Sequence, residues 1–140
     1  HDSHNFHPIN WDGDAEEEFL QAAFEGVWMF DRKEGKWGGK QITKNWAGEV
    51  RDGKSPSGTR FIATIEPKHG TTVAVYVQSS AGYQRVELDT TFKDGHALAC
   101  ADFLGTGGDQ VVGGWRGFRP RAVSGVKLFV PSNKERKSVA

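Results

Sequence analysis

Four side chains that offer oxygen ligands fall in one short stretch near the N-terminus: Asn10, Asp12, Asp14 and Glu18. They hold relative positions 1, 3, 5 and 9 of a loop in which Gly13 permits a tight bend. A hard cation needs such a loop, because it collects roughly six to eight oxygens from a short length of chain. Ca²⁺ suits the set best and Mg²⁺ is the alternative. A solvated acidic turn is the reading that involves no ligand.

A second group of residues carries titratable chemistry. His4 stands six residues before Asn10, and His96 stands six before Asp102. Imidazoles arriving from neighbouring strands hold Zn²⁺ or another transition metal well, whereas a single imidazole more simply caps its strand. Arg60 leads Glu66 by the same six residues and is the corresponding candidate in between, on the substrate side. Glu66 and His69 share the segment Glu66-Pro67-Lys68-His69-Gly70. It reads either as a loop given over to polar groups or as a turn shaped by Pro67 and Gly70. Glu49 and Arg51 fall in the polar, glycine-rich connection 44–59. There they form an exposed salt-linked loop or an acid/base and carbohydrate-binding pair. Among the five tryptophans, Trp46 beside Glu49 is the candidate to stack on a sugar ring. Trp11 and Trp28 have apolar counterparts in Phe103 and Leu128 and read as packing residues. Arg116, Arg119 and Arg121 around Pro120 form a positive cluster, either solvated or facing an anionic ligand.

What positions these residues is a repeat. Asn10-Trp11-Asp12-Gly13-Asp14 through Phe19-Leu20 aligns without a gap with Asp102-Phe103-Leu104-Gly105-Thr106 through Val111-Val112, an offset of 92 residues between positions 10 and 102. Both copies have an aromatic residue second, a glycine fourth and an apolar pair at the end. A strand begins after each, at Gly26-Val27-Trp28 and at Gly125-Val126-Lys127. Ninety-two residues make two units of about 46, within the range of propeller blades. Between them lie apolar stretches of strand type at 60–65 and 72–77, and a period-2 stretch at 82–88. This predicts an all-β chain of about three four-stranded antiparallel blades near 4–44, 59–92 and 93–131, with a polar tail at 132–140. The segment 14–23 is rich in helix formers, but its alignment with Asp109-Gln110-Val111-Val112 makes its second half strand. The loop in the last copy has Leu104, Thr106 and Gln110 where ligands should stand and is expected to hold no ion or a weak one.

Bulk properties narrow the function. Eighteen basic residues balance eighteen acidic ones, so no overall field favours nucleic acid or an anionic membrane. No apolar run has the length of a membrane helix, and the chain is expected to be soluble, with its compartment open. The single cysteine, Cys100, lies in an apolar run and reads as a buried thiol. Closed propellers need about four to eight blades, so three blades imply covering partners: further blades of a longer protein, a partner chain or self-association.

The Asn10-x-Asp12-Gly13-Asp14 loop resembles the FG-GAP/VCBS calcium-loop repeat. Glu49-Val50-Arg51-x-Gly53, Phe61-Ile62-Ala63-Thr64-Ile65-Glu66-Pro67-x-His69-Gly70, Gly95-His96-Ala97-Leu98 and Asp109-x-Val111-Val112-x-Gly114-x-Arg116-Gly117 resemble the propeller domain of the aldos-2-ulose (1,5-anhydrofructose) dehydratase family. That resemblance covers most of residues 4–130. It implies a seven-bladed propeller in full-length relatives and a metal-assisted carbon–oxygen lyase acting on a keto-sugar. In that reading His96 and His69 are base or metal ligands, with His4 and Glu66 as further ligands. Glu49 is the proton carrier, Arg51 a clamp on substrate oxygen, and Arg60 and Trp46 substrate contacts. The competing class is a non-enzymatic FG-GAP module for binding or assembly, held by Ca²⁺ alone.

Overall fold

The computed structural model describes residues 2–117 and 123–131 and the backbone of 138–139. Arg119, Arg121 and most of the tail expected at 132–140 lie outside the described residues. Twelve strands form: β1 (Ser3–Ile9), β2 (Glu18–Ala23), β3 (Gly26–Lys33), β4 (Lys36–Gln41), β5 (Glu49–Lys54), β6 (Arg60–Glu66), β7 (Thr72–Ser79), β8 (Gly82–Asp89), β9 (Gly95–Ala101), β10 (Gln110–Trp115), β11 (Gly125–Phe129) and β12 (Ser138–Val139). They make three four-stranded antiparallel sheets, each in chain order. No helix occurs among the described residues, so none is long and apolar enough to cross a membrane.

Period-2 burial decides the ambiguous segment at 14–23. Glu18, Leu20 and Ala22 are fully buried while Phe19 and Gln21 between them are half-buried, which is a strand pattern and not a helical one. The glycine opening β3 is a steric requirement. Gly26 has φ of 120°, and any side chain there would run into the Thr43 carbonyl.

The middle sheet departs from expectation at its first strand. Glu49–Lys54, expected inside a connection, pairs with β6 from Glu49↔Ile65 to Lys54↔Arg60. Arg60–Glu66 is therefore the second strand of its sheet, and Arg60 is not the counterpart of His4 and His96. β5 escapes a hydrophobic-pattern reading because Glu49, Arg51, Asp52 and Lys54 make it mostly polar. Gly53 fits because the Phe61 ring lies where its side chain would be, an aromatic covering a strand glycine.

The second sheet lies between the other two. Phe61, Ala63, Ile65, Val73 and Val75 pack with Leu98, Val111 and Phe129 of the third sheet around Phe92. Val50, Ile62 and Tyr76 pack with Ile9, Leu20, Ala22 and Val27 of the first. Along β6, alternate side chains thus serve opposite cores, which is why every residue from Phe61 to Glu66 is buried. The first strands come together in the same stack: β5 touches both β1 and β9. Their polar side chains share one seam.

Candidate functional site

The seam brings together imidazoles from all three sheets. His4 comes from β1, His69 from the turn between β6 and β7, and His96 from β9. His4 Nδ1 lies 2.7 Å from the Gly48 carbonyl. A carbonyl only accepts, so His4 carries its proton on Nδ1 and turns a lone pair outward on Nε2. That lone pair lies 2.8 Å from His69 Nε2, which donates to it. The His69 ring stacks on His96 with centroids 4.2 Å apart and planes 17° from parallel. Burial, reinforced by the neighbouring His96 and His4, lowers the pKa of His69 below its usual value. His96 Nδ1 is buried and has no hydrogen-bond partner.

Asp94 joins the group. Ligand atoms of His69, Asp94 and His96 lie within 4.8 Å of one another. Asp94 is held by Arg116, whose Nε donates to Oδ2 at 2.7 Å. Two imidazoles and a carboxylate suit a transition metal, and the neighbouring His4 has its ring oriented by the Gly48 carbonyl.

Glu49 sits beside the histidines. It is buried and accepts from Asn5 Nδ2 at 2.6 Å. Arg51 Nη1 lies 3.9 Å from its Oε2. Burial raises the Glu49 pKa, and Arg51, His4 and His96 only partly oppose it. Four residues proposed for chemistry, His96, His69, Glu49 and Arg51, and the proposed ligand His4 therefore occupy one region.

Three other proposed residues do not. Glu66 is buried with both oxygens engaged: Oε1 accepts from Thr64 (2.9 Å) and Tyr76 (2.6 Å), and Oε2 from Arg85 Nη2 (2.8 Å) and Asn45 (3.2 Å). It anchors the middle sheet. Trp46 packs against Phe24 at 5.1 Å under Lys68. Arg60 lies over the Trp11 ring at 4.7 Å and bonds the Asn10 carbonyl. Sequence reasoning passed over His7 and Asp52, paired across β1 and β5 at 2.9 Å, and Asp94. The signal for Asp52 was its place in β5, hidden once that segment was read as a connection.

A separate centre lies at the 10–18 loop. Carboxylate oxygens of Asp12, Asp14 and Glu18 lie within 4.8 Å of one another. Asn10 shapes the loop: its Oδ1 accepts from Gly13 N at 2.7 Å and its Nδ2 donates to the Asp14 carbonyl. Glu18, 2% exposed, accepts from Trp11 N through Oε2, while its buried Oε1 has no partner. The matching loop of the third sheet resolves the same position differently. Gln110 Oε1 accepts from Leu104 N, and Nε2 donates to the Gly108 carbonyl at 2.7 Å and to Thr106 at 3.0 Å. An amide there is satisfied by protein alone; a carboxylate leaves an oxygen wanting positive charge.

No protein-family model, curated protein or solved structure matches the chain.

Proposed function

We propose that the three sheets are consecutive blades of a β-propeller. In this reading the seam is a transition-metal centre for carbon–oxygen lyase chemistry on a keto-sugar such as 1,5-anhydrofructose. The observation that carries it is the meeting of His4, His69 and His96, one from each sheet, beside a buried acid. Three of the proposed ligands, His4, His69 and His96, would hold the metal with Asp94. A bound metal supplies Lewis acidity toward the substrate ketone. The chain's own groups handle the proton. Glu49, made more basic by burial, takes the proton from the carbon next to the ketone. The C–H electron pair becomes a C=C bond as the C–O bond beyond it breaks. Glu49 then passes its proton to the departing hydroxyl, which leaves as water. Arg51 holds a substrate oxygen. The outer face of the first sheet, with Phe6 66% and Trp37 57% exposed, takes a covering sheet from the same longer polypeptide, a partner chain or a second copy.

The test is enone absorbance on adding 1,5-anhydrofructose to Zn²⁺- or Co²⁺-loaded protein. Absorbance that grows with metal and disappears in Glu49→Gln supports the reading; none at any loading overturns it.

The second reading, a Ca²⁺-held binding or assembly module, is favoured by the orphaned Glu18 oxygen. Elemental analysis separates the two, since a module holds Ca²⁺ only and a lyase a transition metal as well.

A further inference from the structure

The 10–18 loop opens on a cleft of about 440 Å³ between the first and second sheets, distinct from the histidine seam. Asp12 and Glu18 form part of its wall, with Trp11 beside them, Asp31 and Lys33 from β3, and Gln78 and Tyr83 from the β7–β8 hairpin. Two buried oxygens in this wall, Glu18 Oε1 and Asp31 Oδ1, have no hydrogen-bond partner. Unpartnered buried carboxylate oxygens are costly, and two of them in one wall mark a place for a positively charged or hydroxyl-bearing ligand. Lys33 reaches neither of them: its Nζ lies 3.4 Å from Asp12 Oδ2 and 3.0 Å from Asp31 Oδ2.

We propose that a divalent hard cation held by Asp12, Asp14 and Glu18 carries a vicinal diol of a neutral carbohydrate or polyol in this cleft. The proposal rests on the cation reading of the 10–18 loop. Three carboxylates, even with the Asn10 oxygen that accepts from Gly13 N, fall short of the roughly six to eight oxygens that Ca²⁺ takes. Asp12 and Glu18 both line the cleft, so a ligand there would be within reach of the positions they leave unfilled. Adjacent hydroxyls supply neutral oxygens at the right spacing for such positions. Charge argues for a neutral ligand: Asp12, Asp14, Glu18 and Asp31 are balanced by Lys33, Lys40 and the two charges of the ion. The Tyr83 ring suits the apolar face of a sugar ring, as does the face of Trp11 that Arg60 leaves uncovered, and Gln78 offers hydrogen bonds.

Tb³⁺ serves as the probe cation, with luminescence sensitised by Trp11 and lifetimes compared in H₂O and D₂O. We expect Tb³⁺ emission that Ca²⁺ competes away and Glu18→Gln abolishes. Methyl α-D-mannopyranoside or sorbitol should then lengthen the lifetime saturably by displacing about two bound waters. Tyr83→Ala, and the exposed Gln78→Ala, should weaken this sugar response by about tenfold and leave Tb³⁺ affinity unchanged. If Tb³⁺ binds in a Glu18-dependent way and no diol alters its lifetime, the ligand proposal falls and the cation loop stands. If emission is absent or indifferent to Glu18→Gln, both fall.

Discussion

His4 and His69 face each other Nε2 to Nε2 at 2.8 Å, across the junction of the first two sheets. A metal held by both would replace the proton between them, and two nitrogens on one tetrahedral Zn²⁺ would stand about 3.3 Å apart. His4→Ala and His69→Ala should each weaken Co²⁺ binding by at least about tenfold, read from the visible d–d absorption. Unchanged Co²⁺ affinity in both variants would remove the metal centre.

Glu18 and Gln110 invite a reciprocal exchange. Glu18→Gln should raise the melting temperature in chelator, because it relieves a buried unpartnered oxygen, and should abolish any gain from Ca²⁺. Gln110→Glu should cost about 3 kcal/mol, with no rescue by Ca²⁺, since Leu104 and Thr106 bring no carboxylate. Denaturant melts with and without Ca²⁺ check both directions.

Glu66 is the middle sheet's electrostatic anchor, and removing its charge should be severe. Glu66→Gln leaves the half-buried Arg85 with only the more exposed Glu87 carboxylate, 2.7 Å from its Nη1, and should cost about 2–3 kcal/mol. Adding Arg85→Met should recover part of that loss, a coupling measurable in a double-mutant cycle.

Burial lifts the Glu49 carboxyl above its ordinary 4.5. Between 4.5 and the raised value the folded chain keeps a proton that the unfolded chain has released, so stability falls as pH rises through that window. Glu49→Gln should remove this slope. Urea midpoints measured from pH 4.5 to 7 decide it.

Burial pushes the Cys100 thiol up to about 12. At pH 8 it should therefore be inert toward Ellman's reagent in the folded chain and react promptly in guanidinium.

The parts of the fold legible in the sequence were those where pattern and repeat agree. The 92-residue offset pairs the first and third sheets, and the alignment with Asp109-Gln110-Val111-Val112 overrides the helix propensity of Glu16 to Ala23. The first strand of the middle sheet was not legible. A strand at a polar seam buries little apolar surface, so Glu49-Val50-Arg51-Asp52 carries a loop's composition while making a strand's bonds. That displacement made Arg60 look equivalent to His4 and hid Asp52. Glu66 looked free for chemistry because its partners Asn45, Tyr76 and Arg85 are distant in sequence and meet only after folding. The approach of His69 to His4 and His96 is likewise tertiary: no spacing in the chain announces it.

The Gln110 amide gives the third sheet a loop closed from within, whereas the first sheet's loop keeps an unpartnered Glu18 oxygen. Hydrogen exchange should therefore be uneven along the chain. In chelator, the amides of residues 11–16 should exchange early, while those of 104–108 keep the protection that Gln110 gives their loop. Adding Ca²⁺ should draw the two toward the same rate. The free ion concentration of the surroundings would then set the order in which the sheets come apart, and with it which end of the chain a protease reaches first.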